Sequence, residues 1–481
     1  MYNKSAAPPG IMQSVYGAPP RPRAADCAGI VSLAVADLFP RIQKGYVQKE
    51  GVSAIRRATV EALASVNMEM IEPGHTVNIL ASEHGFYLLE GDHYAEMVKT
   101  VRDVVEARTG CKNIRLRVAG GMATREADEV IAHYGLRPYF GGRAVGTHAF
   151  DKGIAIETEI GTLWGLDRIY DADWIIHASY DEPRDLYFYR MIDRVLKPFA
   201  MSYARYETRS VFHGNFGNRS CSFIQRAIFD SPFVQKKLAF GCFLRMTPAG
   251  ITGVHADADL DRAGRIITAD VMRDYGKMLR LLGSIDEYIA VLDGGRWGYY
   301  LHAGGIVFGC LENATYDVFD LTQPAAFGYF DILAKMAAGD PDAMGHIMLV
   351  NPAIRAVVVN QAWPGIPMSD VPMFARTIVV GADQAAMIEA DPANQVFMGF
   401  AESADTIEEA LTSARKLANT DKILIFDGSF GHINLSPQLA EYLIMKAPEI
   451  EEMVEHTLLP LWLRQRGIKP PKPATKSRKK K

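Results

Sequence analysis

Four stretches in the second half of the chain are apolar without alternation: Ala356-Val-Val-Val-Asn360, Thr377-Ile-Val-Val380, Val396-Phe-Met-Gly-Phe400 and Lys422-Ile-Leu-Ile-Phe426. A strand of that composition must be covered on both faces, which is the situation inside a parallel sheet. Between the last two lies a helical pattern through Leu411 and Leu417, started by Asp405, with Glu408 and Glu409 in its first turn, where the helix dipole favours acids. The first half follows the same grammar. Val77-Asn-Ile-Leu80 reads as a short buried strand. Met97, Val98, Val101, Val104 and Val105 share one face of a helix. Ile114, Leu116 and Val118 alternate with Arg115 and Arg117 as a strand that Gly120-Gly121 ends, and Thr124 is placed to cap the helix that follows. Trp174-Ile-Ile-His177 is a further strand, running into a polar cluster. Strand and helix in alternation predict an α/β chain: two three-layer αβα domains with mainly parallel sheets and a cleft between them.

The 481 residues exceed what one ordinary core holds, and 48% hydrophobic with 22% charged residues is a globular balance. The domain reading is a flexible Pro/Ala arm over 1–24, an N-terminal domain over 25–270, a C-terminal αβα domain over 285–465 and a basic flexible tail over 469–481. A helical connector over Val271 to Leu282 marks the boundary. The tail carries seven basic residues, so the net charge of −4 conceals a body near −11. An acidic body argues against a nucleic-acid partner. The five cysteines are scattered and form no CxxC pair, which fits a reducing, cytoplasmic setting. No run reaches the length of a membrane span, and the first 24 residues lack the apolar core of a signal peptide. A homo-oligomer is compatible with all of this.

The densest polar region, residues 177–219, opens at His177 and runs through His213, combining arginines, tyrosines, a lysine and histidines after a strand end, with Tyr187 and Arg209 as further, unranked candidates. Arginine forks bind carboxylates, and histidine moves protons near neutral pH. Val254-His255-Ala-Asp257-Ala-Asp259, if extended, puts three oxygen and nitrogen ligands on one face and forms a candidate metal site, although a polar loop is the simpler reading. Asp427-Gly-Ser-Phe-Gly-His432 follows a buried strand, where αβα domains take ligands. His84 and His93 are candidate bases, and Asp293-Gly-Gly-Arg296-Trp297 is a tight turn or a functional loop between domains. No Walker loop, HExxH or GxSxG is present.

Lys197-Pro-Phe-Ala, then Arg205-Tyr-Glu-Thr208, then His213, resembles the core of the lactate racemase family, the nickel-pincer racemases and epimerases of 2-hydroxy acids. Ala81-Ser-Glu-His84, the strand Ile114 to Val118 with Ala-Gly-Gly after it, and Asp171-Ala-Asp173 before the next strand follow the family's layout in order over roughly residues 60–450. The resemblance implies an isomerase whose cofactor is a pyridinium mononucleotide with two sulfur donors and nickel. Lys197 would tether it, and His213 would be a metal ligand. His177 or His84 would be the base, and Arg184 or Arg205 would clamp the carboxylate of a small hydroxy acid. Phe86 stands at a family arginine, and Gly121-Met-Ala-Thr124 replaces a motif with a catalytic histidine. Those departures motivate two alternatives: a non-catalytic binding or regulatory protein on the same scaffold, and a different divalent-metal enzyme using His255, Asp257 and Asp259.

Overall fold

The computed structural model describes residues 21–45, 50–120, 126–181, 194–213, 221–294, 317, 319–322, 351–362, 376–389, 397–399, 401–427 and 431–469. In chain order the strands are β1 (Val31–Ala34), β2 (Thr76–Ser82), β3 (Asn113–Ala119), β4 (Ala144–Thr147), β5 (Gly153–Thr158), β6 (Gly161–Leu166), β7 (Trp174–Tyr180), β8 (Leu238–Thr247), β9 (Gly250–Asp257), β10 (Tyr288–Gly294), β11 (Ile354–Ala362), β12 (Arg376–Val380), β13 (Ala401–Ala404), β14 (Ile423–Phe426) and β15 (His432–Leu435). The helices that matter below are α1 (Val52–Leu63), α2 (Asp92–Thr109), α3 (Glu126–His133), α4 (Lys197–Ala200), α5 (Tyr206–His213), α6 (Cys221–Phe229), α7 (Leu260–Leu282), α8 (Ala382–Glu389), α9 (Ile407–Ala418), α10 (Pro437–Met453) and α11 (Leu459–Gln465). A π-helical turn, Val454–Leu458, joins the last two.

Two sheets carry the molecule. The first has the order β4-β3-β2-β7-β8-β9, and the second β1-β15-β14-β10-β11-β12-β13. Pairing is parallel in the first except for β8–β9. It is parallel in the second except where β15 pairs with β14 and β1. The chain is therefore α/β, with mostly parallel sheets between helices. β5 and β6 form a separate antiparallel hairpin.

Side-chain parity explains the apolar runs. In the second sheet Ile289, Val291, Ala356, Val358, Ile378, Val380, Ile423 and Ile425 enter one cluster, with Ile407, Ala410, Leu411 and Ala414 of α9. The alternate residues Ala290, Leu292, Val357, Val359, Val379, Leu424 and Phe426 enter another. That second cluster is continuous through α7, α10 and α11 to Leu80, Ile175 and Phe243 of the first sheet. The remaining face of the first sheet packs against α1, α2 and α3 through Val77, Ile79, Ile114, Leu116 and Ile176. In the second sheet every second residue therefore points to a different core and the central strands need no polar face, whereas β3 of the first sheet keeps Arg115 and Arg117, paired with Asp171, on its alternate face.

Four expectations are corrected. The arm over 1–24 was expected to be flexible throughout, but residues 21–24 lie against the second sheet and Ala24 is fully buried; residues 1–20 lie outside the described chain. Residues 25–45 were assigned to the first domain, but β1 pairs with β15 at the edge of the second sheet. The strand expected at Val396–Phe400 is replaced by a short 3-10 turn at Phe397–Gly399 and a strand beginning at Ala401. α9 is capped by Thr406, whose hydroxyl accepts from the Glu409 N–H at 3.2 Å, one residue later than the Asp405 start. No helix among the described residues is long and apolar enough to cross a membrane.

Candidate functional site at the carboxyl edges of the sheets

Parallel αβα sheets take ligands at the carboxyl ends of their strands. Here the carboxyl edges of the two sheets touch. The Gly431 N–H, just before β15, donates to the Pro248 carbonyl in the turn after β8 (3.0 Å). That turn is also held by the segment leading into the first domain. Thr247 Oγ1 donates to the Gln43 carbonyl (3.0 Å), and the Gly45 N–H to that of Ala249 (3.2 Å). α7 flanks the junction and is pinned to both sides. Arg245 on β8 reaches Asp181 at the end of β7 (2.8 Å) and Asp270 on α7 (2.7 Å). Arg273 continues the series to Asp270 and Asp274, and Lys277 closes it on Glu451 (3.4 Å) and Glu455 (2.6 Å).

At the first sheet's carboxyl edge, Glu83 and His84 follow β2. His84 Nε2 lies 3.3 Å from Glu83 Oε1; the carboxylate is buried and the imidazole about a quarter exposed. Arg209 of α5 comes in from the side and is 4% exposed. It donates to the Gly120 carbonyl after β3 (3.2 and 3.3 Å) and to Ala204 (2.9 Å) and Ser202 (3.2 Å). Burial pushes its pKa down, and the Glu83 carboxylate opposes that shift. Glu83, His84 and Arg209 are therefore grouped at the edge. Arg209 was noted in the sequence only as an unranked member of the polar region, because its carbonyl partners are invisible to spacing.

His177 does not join them. β7 continues to Tyr180, so His177 sits mid-strand on the same face as Ile175, pointing into the central core. Its Nδ1 is 2.8 Å from the Tyr203 hydroxyl, and the rings of Phe199, Tyr203 and Phe243 surround it at 5.5 to 5.6 Å. Burial drives its pKa down to about 4, only slightly offset by the Val195 backbone. The expectation of a general base at His177 gives way to a neutral, enclosed core histidine. Arg205 is likewise committed. Its Nε donates to the Asp151 carbonyl (3.1 Å) and its guanidinium pairs with Glu207, beside the β5–β6 hairpin. It is not placed as a carboxylate clamp. Arg184 lies outside the described residues, as does Tyr187.

Lys197 is half-buried at the head of α4. α4 packs on α5, the helix that ends at His213. The two backbones are thus on neighbouring helices; the imidazole itself is not among the described side chains.

The alternative metal group is spent on structure. Arg262 grips both oxygens of Asp257 (2.7 and 2.6 Å), and Asp259 caps α7 by accepting from the Arg262 N–H (2.9 Å). His255 lies 3.8 Å from Asp257. Among the described residues no three acids, histidines or cysteines gather as metal ligands. A cleft of about 620 Å³ with His75, Trp174, Phe233 and Lys237 on its walls opens at the amino ends of β2, β7 and β8, the opposite edge from the ligand edge of an αβα sheet. The chain matches no family model and no curated protein.

Proposed function

We propose that the chain is a racemase- or epimerase-like enzyme acting on a small 2-hydroxy acid or related hydroxy-carboxylate where the two carboxyl edges meet. The observation that carries this reading is the Glu83–His84–Arg209 group at the edge, with the Lys197 helix packed on the helix of Arg209 and His213. Lys197 is a half-buried primary amine, the group type a covalent tether requires. On this reading Lys197 would hold a nickel-pincer mononucleotide through a thioamide, and His213, on the neighbouring helix, would add a nitrogen ligand to nickel. When bound, that group supplies a hydride acceptor. The chain's own side chains do the rest. His84, its Nε2 facing Glu83, takes the substrate hydroxyl proton at Nδ1 and returns it. Arg209 fixes the Gly120 carbonyl and adds positive potential that draws a carboxylate to the edge.

The test is intact-protein mass and nickel content after co-expression with enzymes that make the cofactor, alongside chiral chromatography of hydroxy acids. The reading expects a mass increase that maps to Lys197, is absent from Lys197→Ala, and accompanies interconversion of enantiomers. An unmodified Lys197 in the co-expressed protein refutes it. The enclosure of His177 and the pairing of Arg205 favour a second reading, a non-catalytic hydroxy-carboxylate binder on the same scaffold. That reading expects ligand binding at the edge with no isomer exchange.

A further inference from the structure

The second sheet presents its own carboxyl edge, and the chain's segment Arg21-Pro22-Arg23-Ala24 lies across it. We infer that this edge is a binding site for an extended, arginine-bearing peptide, and that residues 21–24 are its resident ligand. The contacts are of the kind a peptide site makes, to backbone and side chain in turn. Arg21 donates to the Val380 carbonyl at the end of β12 (3.0 Å) and pairs with Asp383 on α8. The Pro22 carbonyl accepts from Asn360 Nδ2 of β11 (2.8 Å). Arg23 pairs with Asp427 after β14 (3.0 Å). The Ala24 N–H donates to Asp293 Oδ2 of β10 (2.7 Å), and its methyl is fully buried among the apolar residues beneath α9.

Each strand end is matched to the peptide by parity. Asp293, Asn360 and Asp427 continue the residues that face α9, so all three reach the same side of the edge. Asp293 also accepts from Asn360 (2.7 Å), and Asn434 donates to Asp427 (2.6 Å), which fixes both carboxylates toward the peptide. Gly381 makes room: at φ +85° it sits where a Cβ would lie 2.7 Å from the Arg21 guanidinium. Two cations meeting acids, one carbonyl meeting an amide and one small apolar anchor define the ligand class as Arg-Pro-Arg followed by a small residue, in extended form. The site stands on the second sheet alone and does not depend on the catalytic reading.

The claim is that the segment is an exchangeable ligand and not an inseparable part of the core. A protease site is inserted between Gly29 and Ile30 of the full chain, which is folded first and then cut. The expected result is that the released fragment leaves on dilution, while the remaining body keeps its melting transition. A labelled peptide spanning residues 18–29 then rebinds, measured by fluorescence anisotropy. Its Arg21→Glu/Arg23→Glu version rebinds about tenfold more weakly or worse. Asp427→Asn in the body weakens the native peptide. Retention of the cut fragment until denaturant is added, unfolding of the body on its loss, or equal rebinding by the charge-reversed peptide each overturns the inference.

Discussion

Replacing Lys277 with alanine strands two carboxylates. The ammonium is fully buried in α7, while Glu451 and Glu455 are 13% and 20% exposed in the C-terminal helix and its π-turn. Removing one member of a buried ion group costs about 3–5 kcal/mol, since the charges left behind keep their desolvation cost without the partner. The two glutamates retain some water, so the lower end, about 3 kcal/mol, is the expectation for Lys277→Ala. For a domain of this size that corresponds to a fall of roughly 6–12 °C in melting temperature. A triple variant, Lys277→Met with Glu451→Gln and Glu455→Gln, removes the whole group and is expected to recover to within about 1 kcal/mol of the parent. Equilibrium denaturation at one pH and salt concentration, followed by circular dichroism, measures both. If Lys277→Ala loses less than about 0.5 kcal/mol, or the triple variant is as unstable as the single one, the argument from stranded charge is refuted.

His177 gives the chain an acid-side weakness. The unfolded chain takes this proton near pH 6.5 and the folded chain only near 4, so the unfolded state binds more protons between those values. Stability therefore falls as pH drops through that window, by about 3 kcal/mol in total, and His177→Phe flattens that part of the pH profile in urea titrations. Gly276→Ala, which helix propensity alone would favour, is destabilising because its Cβ would lie 2.7 Å from the buried Trp462 ring; a loss of about 1–3 kcal/mol in denaturant midpoint is expected. Gly381→Ala combines positive φ with the clash against Arg21, costs about 1–2 kcal/mol, and speeds amide exchange at Arg21, Arg23 and Ala24 in mass-spectrometric measurements.

The central strands are readable because their chemistry is one-dimensional. Ala356 to Val359 feeds two cores by parity, and no surrounding residue is needed to see it. Elements whose reason lies elsewhere are not readable. β1 is only Val31-Ser-Leu-Ala34, and its strand character comes from β15. β13 is an edge strand with two exposed residues, so it lacks the apolar run that drew attention to Val396–Phe400. Residues 21–24 look like a loose proline-rich arm until Asp293, Asn360 and Asp427 supply partners. At the candidate site, His84 stands where a strand-end histidine was expected. His177 was taken as a strand-end residue because Ala178-Ser-Tyr180 does not look like a continuing strand. That difference of three residues separates an edge histidine from a core one.

The pairing of Val31 with Leu435 has a consequence for biogenesis. The opening strand emerges from the ribosome about 400 residues ahead of the segment that receives it. At translation speeds of roughly 5–20 residues per second, it waits about 20–80 seconds before its hydrogen bonds can close. The middle of the polypeptide can assemble its own sheet during that interval. The second sheet can be completed at that edge only once residues 432–435 have been made.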